Sequence, residues 1–99
     1  MINHVVAFKL KDFQAEEKTA VRSELKSMLE GLKEKIAELK YLEVGVNHEI
    51  ESKNYDLVLI SHFENLEDLK VYQAHPEHQK VVKRVLETTE ARAAVDFEF

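Results

Sequence analysis

The sequence predicts an α+β fold in which four antiparallel strands and their connecting helices follow the order β-α-β-β-α-β. Three observations carry that expectation. Apolar residues alternate at period two at both ends of the chain and twice in its middle. Between the first two such stretches they recur every three or four residues. A second helical stretch is broken once, at the only proline; these periods separate strand from helix. With 99 residues, one proline and two glycines, no linker can be drawn, and residues 1–99 read as one domain.

The first strand opens at once. Ile2, His4, Val6, Phe8 and Leu10 share one parity and alternate with Asn3, Val5, Ala7 and Lys9. Over residues 14–39 the period changes, with Val21, Leu25, Met28, Leu29, Leu32, Ile36 and Leu39 on one side and charged residues opposite. That pattern predicts a long amphipathic helix, weakened at Gly31 by about 1 kcal/mol relative to alanine. Leu42, Val44, Val46, His48 and Ile50 mark a second strand, and Glu51-Ser52-Lys53-Asn54 a polar turn. The third strand spans Tyr55 to Phe63, and the short connection makes the two an antiparallel hairpin.

Asn65 is placed to cap the next helix, with Asp68 in capping-box position, and Leu66, Leu69 and Tyr72 follow at helical spacing. Pro76 disfavours helical geometry at His75 but suits the first turn of a new helix, which carries Val81, Val82, Val85 and Leu86. Ala93 to Phe99 supplies the fourth strand. The order is the ferredoxin-like split unit, a four-stranded antiparallel sheet with helices on one face.

Composition narrows the function classes. There is no cysteine, so disulfides, thiolate metal sites and cysteine catalysis are excluded, in keeping with a cytoplasmic location. The N-terminus lacks a basic segment followed by an apolar run, and no apolar run exceeds four residues, so neither a signal peptide nor a membrane span is expected. The net charge is −5, and Lys33, Lys35 and Lys40 are interleaved with Glu34 and Glu38. Nucleic acid is therefore not an expected partner.

The third strand is apolar on both parities, Leu57 and Leu59 on one side and Val58 and Ile60 on the other. A sheet face open to water alternates apolar with polar residues instead. With Val5 and Ala7 this makes an apolar strip away from the helices, bordered by Lys9, Glu43, Asn47, Asp56, His62 and Asp96. A homodimer packed sheet against sheet is the expected cover; a monomer with scattered exposed valines is the alternative.

Five histidines stand out. His4 shares the parity of Val6 and Phe8 and so faces the helices, where an imidazole needs hydrogen-bond partners. Tyr72, His75 and His78 surround the proline break. Histidine titrates near neutrality and tyrosine offers a hydroxyl, a combination suited to proton transfer on a carbonyl compound. Each also has a plain structural reading: His4 as a satisfied core residue, His75 as a cap, Tyr72 as packing. His75 and His78 are three apart, but the proline between them spoils a metal-binding pair and spacing fixes no third ligand. His48 and His62 read as strand residues in solvent or at an interface. No glycine-rich phosphate loop, nucleophile elbow or nucleotide fingerprint is present, so no cofactor or metal is expected.

The opening Ile2-Asn3-His4-Val5-Val6-Ala7-Phe8-Lys9, the strand Tyr55-Asp56-Leu57, the segment Tyr72-Gln73-Ala74-His75-Pro76-Glu77-His78 and the closing Val95-Asp96-Phe97 resemble the stress-responsive A/B barrel domain family over essentially the whole chain. The resemblance implies a ferredoxin-like protomer pairing into a dimeric α/β barrel, with a pocket between sheet and helices. The family includes the plant polyketide cyclase that forms olivetolic acid, a distant resemblance. On that pattern His78 would be the general base, Tyr72 would hold or polarise the substrate oxygen, and His4 would orient the substrate. His75, Val6 and Phe8 would contact the ligand. The departure is in the first helix, which offers Val21, Arg22, Leu25 and Met28 where the cyclase brings aromatic residues. The expected function is thus a small-molecule-binding dimer with cofactor-free cyclase- or lyase-like chemistry. The alternative is a non-catalytic stress-protective or assembly protein.

Overall fold

The computed structural model describes residues 1–49 and 53–99. Strands β1 (Ile2–Leu10), β2 (Tyr41–Val46), β3 (Leu57–Phe63) and β4 (Thr89–Glu98) form one antiparallel sheet in the order β2-β3-β1-β4. Helix α1 (Ala15–Glu30) lies between β1 and β2, and helices α2 (Leu66–Ala74) and α3 (Pro76–Thr88) lie between β3 and β4. This is the ferredoxin-like arrangement that the periodicities predict.

The central strand β1 alternates as its sequence requires. Ile2, His4, Val6, Phe8 and Leu10 are buried, and Asn3, Val5, Ala7 and Lys9 are half-buried on the other face. Against the buried parity pack Leu25 and Leu29 of α1, Leu59 and Phe63 of β3, and Leu69, Tyr72, Val81 and Val85 of the last two helices. Truncating such a leucine to alanine costs about 2–5 kcal/mol, a large part of the stability of a small domain.

The first helix is shorter than the expected span of residues 14–39. It ends at Glu30, and the chain tightens into a 3-10 turn over Gly31–Glu34. Glycine is a poor helix former, and no basic residue in the last turn of α1 complements its exposed carbonyls. Leu32, Ile36 and Leu39 are nevertheless buried. Their spacing reports a common core-facing side, which the turn preserves without a continuous helix.

At the other breaks the local chemistry acts as its residue types suggest. Asn65 caps α2 by accepting from the Asp68 backbone N–H at 2.8 Å. His75 adopts an extended conformation between α2 and α3, with Pro76 in the first turn of α3.

The hairpin differs from expectation at the end next to its connecting loop. β2 ends at Val46, so His48 lies beyond the strand, and β3 starts at Leu57 rather than Tyr55. Ile50, Glu51 and Ser52 of the expected strand end and turn lie outside the described residues. Asp56, expected on the border of the outer face, is instead 3% exposed and points inward. Its carboxylate accepts from the Leu10 backbone N–H at 2.8 Å and from Arg22 Nε and a terminal guanidinium nitrogen at 3.1 and 2.6 Å. Arg22 also donates to the carbonyls of Asn47 and Glu49. The buried pair fastens α1 to the loop end of the hairpin, and its hydrogen bonds offset the cost of desolvating both charges.

Strand β4 begins at Thr89, ahead of the expected Ala93, because Ala91 and Arg92 pair with Lys9 and Phe8 before a register shift at Lys9–Leu10. Asp96 pairs with His4 and so shares the helix-side face; it does not border the outer one. The outer face carries Val5, Ala7, Val58 and Ile60, flanked on β4 by Val95 and Phe97, which are 62% and 44% exposed. Tyr41, His62 and Phe99 form an aromatic row there, with successive ring centroids 4.5 Å apart. Among the described residues no helix is long and apolar enough to cross a membrane.

Candidate functional site

Between the helix-side face of the sheet and the broken helix lies a cavity of about 290 Å³, at the small end of ligand-pocket volumes. His4, Val6, Phe8 and Leu59 line it from the sheet. Leu29 of α1 and His78, Val81 and Val85 of α3 line it from the helices, and the exposed Gln73, Gln79 and Arg92 complete its edge. The wall is mostly aliphatic, so the imidazoles are the groups in it able to exchange a proton near neutral pH.

His4 is placed by strand alternation on the buried parity of β1 and is 5% exposed. Its Nδ1 is hydrogen-bonded to Oδ1 of Asp96, directly opposite on β4. The carboxylate oxygen accepts, so Nδ1 donates in this bond, and Nε2 has no hydrogen-bond partner among the described residues.

His78 is placed by the proline break, which starts α3 so that the imidazole turns back on the end of α2. Its Nδ1 lies 3.1 Å from the Gln73 carbonyl oxygen. That oxygen too can only accept, so His78 presents Nε2 as a lone pair. Burial holds the His78 imidazole below its ordinary pKa; the Gln73 carbonyl opposes this, while neighbouring His4, Arg92 and His75 add to it. The ring is therefore neutral, a base, at neutral pH.

Tyr72 is fully buried, its ring 4.4 Å from that of His78, 4.9 Å from Phe63 and 6.5 Å from His4, centroid to centroid. Its hydroxyl has no hydrogen-bond partner among the described residues. Burial pushes its pKa well up, so the phenol keeps its proton and remains a donor.

Of the residues singled out from sequence, His4, His78, Val6 and Phe8 thus lie on the cavity, and Tyr72 lies behind them against both imidazoles. His75 is not on the cavity lining; its Nδ1 accepts from the Glu77 backbone N–H at 3.1 Å and caps α3. From α1 the cavity receives Leu29, whereas Arg22 is held by Asp56. Among the described residues no group of three or more histidine, aspartate or glutamate side chains is placed to hold a metal ion.

The sequence reading overlooked Asp96 as the partner of His4 and Arg92 at the cavity edge. A signal for both existed in β4. Ala93, Val95 and Phe97 make one parity apolar, while on the other Arg92, Asp96 and Glu98 outnumber Ala94. If the apolar parity covers the outer face, the polar one must face the helices.

A model of the stress responsive A/B barrel domain matches residues 2–99. The stress-response A/B barrel domain-containing protein DABB1 of Arabidopsis thaliana is 30% identical over 102 residues, covering 98% of this chain and 46% of its own. The chain therefore spans about half the length of the curated relative it matches. Among solved structures, a dimeric protein of unknown function and ferredoxin-like fold from Bacteroides fragilis is 41% identical, with a TM-score of 0.91 over 99% of this chain and 95% of that one. The hydroxynitrile lyase of Passiflora edulis, 14% identical, shares the fold with a TM-score of 0.78 over 97% and 90% of the two chains.

Proposed function

The chain belongs to the stress-responsive A/B barrel domain family, and from that premise we propose that it is a small-molecule-binding homodimer whose pocket carries out cofactor-free acid–base chemistry on a carbonyl compound. The observation that carries the proposal is the pair of imidazoles on one cavity, each with Nδ1 engaged and Nε2 without a partner among the described residues. In this reading His78 Nε2 removes a proton from the carbon beside the carbonyl, and the electron pair moves onto the carbonyl oxygen. Tyr72, whose hydroxyl is buried off the cavity lining and unpartnered among the described residues, turns toward the substrate oxygen to donate its hydrogen to the developing enolate, and His4, steadied by Asp96, orients the substrate. A hydrogen bond to a developing oxyanion is worth most where water is excluded, and the aliphatic Val6, Val81 and Val85 line the cavity. Aldol cyclisation, β-elimination and keto–enol isomerisation share this first step.

The outer sheet face supports the homodimer. Val95 and Phe97 lie there in the sheet and more than two-fifths exposed (62% and 44%), a surface that a second copy would cover. The Bacteroides fragilis relative, at 41% identity, is dimeric. A cysteine-free chain also suits a reducing, cytoplasmic location. The same outer face favours the second reading, a non-catalytic stress-protective or assembly protein.

Exchange of the α-protons of 2-octanone in deuterated buffer, followed by proton NMR, separates the two. The acid–base reading predicts acceleration by the protein and its loss in His78→Gln. Equal rates with protein, variant and buffer alone would leave the assembly reading.

A further inference from the structure

The chain has three arginines, and two of them are locked to carboxylates. Arg22 holds Asp56 in the core, and Arg84 makes a two-nitrogen contact with Glu24 at 2.7 and 2.9 Å. Arg92 has neither an ion pair nor a hydrogen bond among the described residues, although acidic side chains outnumber basic ones 19 to 14. Its place is set by register: opposite Phe8 in β4, on the helix-side face, at the edge of the cavity that holds His4 and His78.

No acidic residue lines that cavity, because Asp96 is tied to His4 outside the lining. A ligand entering it thus meets aliphatic walls, two imidazoles and one uncommitted guanidinium. A planar guanidinium with its donors free matches a carboxylate better than any neutral group. We propose that the pocket takes a carbonyl compound bearing a carboxylate, an oxo acid with an apolar chain, and that Arg92 is the residue that selects the acid. This rests on the pocket reading given under Proposed function and adds the ligand's charge to it. The role is one of specificity. Arg92 grips the carboxylate, the aliphatic wall takes the chain, and the carbonyl is left to the histidines.

The probes are 4-oxooctanoate and its methyl ester, which carry the same ketone and chain and differ by one negative charge. Each is titrated by calorimetry at constant salt into wild type, Arg92→Gln and Arg92→Lys, with the imidazole signals of His4 and His78 followed by nitrogen-15 NMR. Wild type is expected to bind the acid about ten-fold more tightly than the ester, the scale of a charge-assisted hydrogen bond. Arg92→Gln should bind both alike, and Arg92→Lys should keep part of the preference. Arg92 is exposed, so its variants should fold as wild type does. A preference that persists in Arg92→Gln, or one absent from wild type while both probes shift the two imidazoles, overturns the Arg92 assignment and leaves the pocket standing. Imidazole signals unmoved by either probe overturn the pocket, and the Arg92 assignment with it.

Discussion

Asp96 accepts a hydrogen bond from Nδ1 of His4 across directly paired positions of β4 and β1. The contact joins residues 92 apart in sequence and fixes which nitrogen of a buried imidazole is protonated. Asp96→Ala leaves that N–H without its partner, at a cost of about 1 kcal/mol in stability measured by urea unfolding. Nitrogen-15 NMR should then show His4 as a mixture of tautomers; a His4 pattern identical to wild type would mean that Asp96 does not set it.

Tyr72 separates function from stability. Its hydroxyl is buried without a partner among the described residues, whereas in the unfolded chain water hydrates it. Tyr72→Phe should therefore unfold no more easily than wild type, and be up to about 1 kcal/mol more stable. The same variant should lose most α-proton exchange in 2-octanone. A Phe variant that is less stable and equally active would make Tyr72 a packing residue only.

The depressed pKa of His78 has a sign in stability as well as in reactivity. Above the ordinary histidine value, about 6.5, the ring is neutral in both folded and unfolded chains and contributes no pH dependence. As pH falls below that value the unfolded chain takes up a proton more readily than the folded one, so stability declines until the folded pKa is passed. Comparing the loss of stability between pH 7.5 and 5.5 in wild type and His78→Gln isolates this contribution. The variant should lose less, and an equal loss would contradict burial as the cause of the shift.

The outer face predicts its own disruption. Val95→Glu places a charge in the middle of the exposed apolar surface of β4, opposite Val5. Light scattering should find a dimer for wild type and a monomer for the variant, with circular dichroism unchanged. A variant that stays dimeric would move the interface off this face.

Much of the fold is legible in local pattern. Ile2 to Leu10 alternates because one face of β1 meets the helices, and His75-Pro76 splits a helix because a proline ring excludes helical geometry just before it. Gly31 shows the limit: Leu32, Ile36 and Leu39 keep helical spacing after the helix has ended, since the spacing records burial and not hydrogen bonding. The site was legible only in part. His4 and His78 stand out by residue type and parity, but Asp56 and Asp96 depend on partners 34 and 92 positions away. Whether an aspartate at a strand margin turns inward is decided by the cation or imidazole it meets there, which no local window contains.

The most direct test of the central claim, one pocket with two available imidazole nitrogens, is a titration of 2-octanone into nitrogen-15-labelled protein with all five histidines observed. The account predicts that His4 and His78 shift together, along one saturating curve, while His48, His62 and His75 stay in place. Shifts confined to the latter three, or His4 and His78 moving along different curves, would contradict it.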